Sequence, residues 1–273
     1  MILKADLIWS GRGKTIRNGG IRIRDGHVVQ IAPFDQLISE TERVIDMGRV
    51  ILLPAMINAH THLDLSHLEG RFDKGADFPQ WLKRMARARI VQLFESRSIR
   101  KGIRQTIDGG AVAVGDVSTS GKSAFLLKKE DLDKSVVFCE VMGLDPAKAG
   151  RTAGRLRARV ERLLRKATVR VGISPHAPYS VSPELFQECV ALAREYSLPL
   201  AIHTAEVESE VALLTEGTGE LRTLLDQHGL LPPGWKPPGL TPVRYLQSLG
   251  VLEARPLLVH CNHIDEGEAA IMS

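Results

Sequence analysis

Histidines recur in this chain where a strand-like run ends. Asn58-Ala59-His60-Thr61-His62 closes a short apolar stretch. Successive side chains of a strand alternate faces, so His60 and His62 share one face and can offer two imidazole nitrogens to a single metal ion. Leu198-Pro199-Leu200-Ala201-Ile202-His203 delivers a third imidazole at its end, with the carboxylate of Glu206 three residues further on, and Pro256-Leu257-Leu258-Val259-His260 repeats the arrangement. Any one of these histidines could be a satisfied core residue. Several at one sheet edge would repel if protonated, and they make sense around a cation.

Other candidates carry bland readings. His67 follows the first pair by five residues and reads as loop surface; His228, before Gly229 at a helix end, complements the helix dipole. His27 lies beside a hairpin turn, and His263 shares a face with His260 only if helix begins at once. Cys261 alternates to the other strand face and reads as a buried thiol. Glu140 and Asp116, at strand ends, and Trp81, after Phe78-Pro79-Gln80, are candidate pocket residues.

The elements that must hold these groups change character along the chain. Up to about residue 53 the pattern is short strands: Ile2 to Trp9, then Ile21-Arg22-Ile23-Arg24 and His27-Val28-Val29-Gln30-Ile31 around the hairpin dipeptide Asp25-Gly26, then Val44 to Asp46 and Val50 to Leu53. From Pro54, apolar strands alternate with amphipathic helices, the signature of parallel βαβ units. The strands are expected at Ala55 to His60, Ala111 to Val117, Ser135 to Val141, Thr168 to Ser174, Leu198 to His203 and Pro256 to His260, and helices at Trp81 to Ile107, Ala147 to Lys166 and Pro183 to Tyr196. In parallel α/β sheets, sites form at the carboxyl ends of strands, where each of these histidines falls. The proline-rich segment Gly229 to Thr241 is long enough for a lid, though a surface excursion serves equally, and Thr241-Pro242 reads as an N-cap with Pro in the first turn.

Composition narrows the classes. With 273 residues, 44% hydrophobic and 25% charged, the chain can bury a substantial core, which excludes disorder. No apolar run approaches the roughly 18 residues of a bilayer span, and the charged start Met1-Ile2-Leu3-Lys4-Ala5-Asp6 does not fit a secretory signal. The expected address is the cytoplasm. The net charge of +4 is scattered except around Arg151 to Arg170, which reads as a solvated helix face rather than a nucleic-acid patch. Cys139, Cys189 and Cys261 are far apart and fit reduced thiols.

Four ordered segments resemble the amidohydrolase superfamily: Leu53-Pro54-Ala55-Met56-Ile57-Asn58-Ala59-His60-Thr61-His62-Leu63, Ser174-Pro175-His176-Ala177-Pro178-Tyr179-Ser180, Ile202-His203-Thr204-Ala205-Glu206 and Val259-His260-Cys261. They are most similar to its aminohydrolase and chlorohydrolase branch, which includes methylthioadenosine/adenosylhomocysteine and aminofutalosine deaminases. The resemblance implies an α/β fold, a TIM-type (β/α) barrel over 54–273 with a small β-sandwich module over 1–53. It implies metal ligation by His60, His62 and His203, proton shuttling by Glu206, a catalytic His260 that hydrogen-bonds the attacking water or the substrate, and substrate contact by His176; Trp81 and Glu140 are expected beside them in the substrate pocket from their own positions. A metal lowers the pKa of bound water toward ~7 and a nearby carboxylate can carry its proton to a leaving nitrogen. Val169-Arg170-Val171-Gly172-Ile173-Ser174-Pro175 offers no lysine for a second, bridged ion, so one divalent metal is expected, zinc first and iron as the alternative. The expected reaction is deamination of an aminopurine nucleoside-like small molecule; the alternatives are hydrolysis of another ring C–N or C–Cl bond, or a non-catalytic metal-binding remnant.

The resemblance departs at one place. Family members carry a further aspartate at the end of strand eight, and only six barrel strands can be drawn before Ser273. The expectation is an incomplete barrel with two open sheet edges that invite a homo-oligomer or a complementing C-terminal fragment, from a truncated record or a split enzyme.

Overall fold

A computed structural model describes residues 1–13, 15–37, 41–71, 95–130 and 132–273. The chain divides into two compact units, Met1–Met56 and Ile57–Ser273.

The first unit is built on one five-stranded sheet. β1 (Ile2–Ile8) pairs antiparallel with β2 (Ile16–Arg24), which pairs antiparallel with β3 (His27–Pro33). Asp25 and Gly26 both take positive φ, 50° and 75°, the geometry a two-residue hairpin requires. β4 (Val44–Asp46) and β5 (Ile51–Leu52) lie parallel to β1 on its other side. β1 buries Ile2, Ala5 and Ile8, and Ile2 packs with Ala32 and Leu37.

In the second unit β6 (Met56–Thr61), β7 (Ala111–Ser118), β8 (Val136–Val141) and β9 (Arg170–Pro175) lie side by side in chain order, with β7, β8 and β9 parallel. β10 (Ala201–Thr204) and β11 (Leu257–His260) form a parallel pair. β9 meets β10 through a bridge between Ile173 and Leu200 and through the Ile173 N–H, which donates to the Pro199 carbonyl at 3.0 Å. All six strands of the sequence reading are therefore present in this order. Among the described residues no strand pairs with the outer edge of β11, and Met56, Ile57 and Leu257 are exposed.

The helices follow the apolar periodicity. α1 (Glu95–Asp108) buries Ile99 and Ile103; α2 (Ala149–Lys166) buries Ala149, Ala153, Leu156, Val160 and Leu163 and turns most of its arginines outward. α3 (Pro183–Tyr196) starts at an N-cap Ser182 whose hydroxyl accepts the Leu185 N–H, with Pro183 in the first turn, and buries Leu185, Phe186, Cys189 and Val190. These faces cover Val137, Cys139, Val171, Ile173 and Ile202 of the strands in one continuous core. Four shorter helices complete the unit: α4 (Glu208–Glu216), α5 (Gly219–Gln227), α6 (Pro242–Ser248) and α7 (Glu266–Met272). α5 ends at His228, where the sequence reads as a helix end, and α6 starts after Thr241, whereas α4 carries too short an apolar repeat to be read from the sequence. Thr241 is the N-cap residue of α6 as expected, but its hydroxyl donates to Glu268 rather than capping the helix. No helix among the described residues is long and apolar enough to cross a membrane.

Candidate functional site

The carboxyl ends of β6, β10 and β11 bring four imidazoles together. The ring centroids of His60 and His62 are 4.9 Å apart, those of His60 and His203 4.8 Å, those of His60 and His260 5.4 Å and those of His203 and His260 5.5 Å. His203 is buried, His60 and His62 are half-buried, and His260 lies at the open side. One nitrogen each from His60, His62 and His203 fall within 4.8 Å of one another.

The chemistry of this donor set suits a cation. The backbone N–H of His203 and its ring Nδ1–H both donate to the carbonyl of His176, at 2.9 Å each. A carbonyl only accepts, so in the neutral ring Nε2 carries the lone pair, and it lies 3.2 Å from His62 Nε2. A hydrogen-bonded outer partner that fixes the tautomer in this way is the usual companion of a metal-ligating histidine. Burial, and then the proximity of His203 and His260, lower His60 to about 4, so at neutral pH it too is an uncharged imidazole. Three imidazoles at this separation fit one divalent ion.

Glu206 follows β10 through a residue, Ala205, in the left-handed region at φ 50°. Its Oε1 lies 3.5 Å from His260 Nε2. Burial raises the Glu206 carboxyl above its ordinary value, with His260 pulling the other way, so the group holds a proton more readily than a surface glutamate. On the far side of His203, Glu140 at the end of β8 is buried and accepts from the Thr119 hydroxyl at 2.9 Å, and His176 Nε2 lies 4.0 Å from Glu140 Oε1. His176 Nδ1 is 2.7 Å from the Ser180 hydroxyl, and its ring centroid is 4.8 Å from that of His203. The structure thus brings His60, His62, His203, Glu206, His260, His176 and Glu140 to one sheet edge. Trp81 lies outside the described residues.

Several sequence expectations change here. Asp116 is fully buried, and Oδ1 accepts the Leu63 N–H at 2.8 Å, so it anchors the chain after His62 rather than lining a pocket. His67 is half-buried in the short helical segment Leu63–Leu68, within 3.1 Å of the Asp64 carbonyl and the Ser98 hydroxyl, and is not loop surface. Cys261 is half-buried rather than fully buried, because φ of 75° at His260 and 51° at Cys261 ends the strand alternation. His263 does not join a helix at once; its N–H donates to the Ala205 carbonyl at 3.1 Å. His228 does cap a helix end, with Nδ1 2.9 Å from the Leu224 carbonyl.

Two residues escaped the sequence reading. Arg159, on the helix face read as solvated, donates to the carbonyls of Thr119 and Glu140 and ties the ends of β7 and β8 together. Glu210 is fully buried in the first turn of α4; its Oε1 accepts the Ala205 N–H at 3.1 Å and its Oε2 the Glu206 N–H at 2.9 Å. The only sequence signal for Glu210 was its four-residue spacing from Glu206.

Comparison with known proteins identifies the family. The model of the amidohydrolase family matches residues 51–272. The chain is 32% identical over 279 residues to aminodeoxyfutalosine deaminase of Deinococcus radiodurans, covering 98% of this chain and 66% of that protein. It is 28% identical over 278 residues to 5-methylthioadenosine/S-adenosylhomocysteine deaminase of Nitratidesulfovibrio vulgaris, covering 94% and 55%. Among solved structures, Helicobacter pylori aminofutalosine deaminase superposes with a TM-score of 0.78 at 21% identity over 99% of this chain and 65% of that one. The chain therefore spans between half and two thirds of the length of these relatives.

Proposed function

This chain belongs to the amidohydrolase family, and from that membership we propose that it is a metal-dependent aminohydrolase, replacing an exocyclic amino group of an aminopurine nucleoside-like compound by water with release of ammonia. The observation that carries the reading is the fixed tautomer of His203, whose Nε2 lone pair faces His62 Nε2 at 3.2 Å beside a neutral His60. His60, His62 and His203 would hold one divalent ion, zinc first and iron as the alternative, since both accept imidazole. When bound, such an ion supplies Lewis acidity and lowers the pKa of coordinated water toward ~7.

The chain's own groups do the rest. Glu206, with its raised carboxyl pKa, takes a proton from the attacking water and delivers it to the leaving nitrogen, which departs as ammonia. His260, 3.5 Å from that carboxyl, hydrogen-bonds the water or the substrate oxygen that forms. Glu140 and His176 form the polar wall opposite, offering an acceptor and an imidazole edge to the substrate. The parallel strands are read as six strands of a TIM-type barrel over 54–273, and 1–53 as part of a β-sandwich, in a cytoplasmic protein with reduced thiols.

The test is ammonia release by the metal-loaded chain from adenosine, 5-methylthioadenosine, S-adenosylhomocysteine and aminodeoxyfutalosine. Turnover of any one supports the reading, and silence on all four with a full complement of bound metal overturns it.

A further inference from the structure

The segment Ala205-Glu206 is held from both sides. Its carbonyl side faces the end of β11: the Cys261 N–H donates to the Thr204 carbonyl at 2.9 Å, the Asn262 and His263 N–H groups both donate to the Ala205 carbonyl at 3.0 and 3.1 Å, and Asn262 Nδ2 donates to the Glu206 carbonyl at 3.0 Å. Its amide side faces Glu210, whose two carboxylate oxygens each accept one N–H. Ala205, His260 and Cys261 all sit at positive φ without being glycine, a conformation that persists only where surrounding bonds over-determine it.

A helix-capping role does not account for Glu210. α4 has Val207 as its N-cap residue, and a third-position glutamate that completes a capping box reaches back to the N-cap amide. Glu210 reaches past it, to the two preceding amides. Accepting from both at once is what an ionised carboxylate does, and the two amide bonds pull the carboxyl down against the burial that raises it in this fully buried position. An apolar residue at this position would avoid that cost, whereas the carboxylate fixes one peptide geometry.

We propose that Glu210 is a positioning residue: by clamping the amides of Ala205 and Glu206 against the end of β11, it sets where the Glu206 carboxyl stands relative to His260. This rests on the reading of Glu206 as the proton carrier. Glu210 acts on turnover through Glu206, with no contact to metal or substrate of its own.

Glu210→Gln tests it, because an amide side chain accepts from one N–H and turns its own N–H₂ toward the other. The expected result is a kcat lowered by ~10–100-fold, the range for removal of an outer-shell partner, with KM and metal content within about twofold of wild type. Introduced into a Glu206→Gln background, the same substitution is expected to lower kcat no further, whereas an equal loss in both backgrounds overturns the proposal. A second readout does not need turnover. Amide hydrogen exchange at Ala205 and Glu206 is expected to accelerate at least tenfold in the variant, with His203 and Val259 unchanged; uniform acceleration, or none, overturns the clamp even if no nucleoside is a substrate. Glu210→Asp, which keeps both acceptor oxygens one methylene short, is measured in parallel and carries the same predictions if the glutamine variant does not fold.

Discussion

His203 donates twice to one acceptor: its backbone N–H and its Nδ1–H both reach the carbonyl of His176 at 2.9 Å. The strand ends of β9 and β10 are joined by the first bond, and the imidazole is aimed by the second. If His203 is a metal ligand as proposed, structure and ligand chemistry meet in one residue, and its replacement has a definite consequence. His203→Ala is expected to lower metal affinity by more than the ~10–100-fold that loss of an outer-shell partner costs, measured as metal per chain after dialysis against a graded chelator. Equal retention by wild type and variant would remove His203 from the ligand set.

Glu206 is expected to separate turnover from metal binding. Glu206→Gln keeps the shape of the side chain and removes its ability to carry a proton, so kcat should fall by ~10²–10⁴-fold, the typical contribution of a general acid–base group. Metal content should stay within experimental error, because Glu206 is not among the three converging imidazoles. Parallel loss of metal and activity would show that the carboxylate is a ligand instead.

The sequence made part of this arrangement legible, for a physical reason. Metal-type chemistry in a parallel sheet needs its ligands at carboxyl strand ends, and strands announce themselves by apolar runs, so His60, His62, His203 and His260 could be placed by pattern alone. Arg159 and Glu210 could not, since their partners are main-chain atoms: Arg159 meets the carbonyls of Thr119 and Glu140, and Glu210 the amides of Ala205 and Glu206. A sequence records side-chain type but not which backbone group lies opposite. Asp116 misled in the same way, its partner being the Leu63 amide. Cys261 was misplaced because the alternation argument assumes extended backbone, which ends at His260.

Asp116 provides a pH-dependence with a definite sign. Burial, with Asp64 nearby, pushes its carboxyl from 3.8 up to about 7. The folded chain thus holds this proton more tightly than the unfolded chain, so the group's contribution to stability falls as pH rises from 3.8 to about 7 and levels off above that. Asp116→Asn keeps an oxygen to accept the Leu63 N–H and removes the titration. The Tm of wild type minus that of the variant is expected to decrease as pH rises from about 5 to about 7 and to be flat beyond, read from thermal melts in half-unit pH steps. A difference that does not change with pH would contradict this.

Gly115 and Gly154 are expected to respond in opposite directions to the same substitution. A Cβ on Gly115, in the middle of β7, would lie well inside van der Waals contact of the Ala59 carbonyl oxygen in β6, and backbone cannot swing away as a side-chain tip can. Gly115→Ala should therefore cost ~1–3 kcal/mol, as overpacking does. The displaced peptide immediately precedes His60, so metal affinity should fall with stability. Gly154 lies inside α2, and a Cβ there meets nothing within 4 Å. Gly154→Ala should stabilise by ~0.5–1 kcal/mol, because alanine loses less backbone entropy in a helix, and leave metal affinity unchanged. Denaturant unfolding and metal titration of the two variants check both halves. A metal affinity in Gly115→Ala that matches wild type would mean that β6 can shift without moving His60, and that the β6–β7 contact does not set the position of the first ligand.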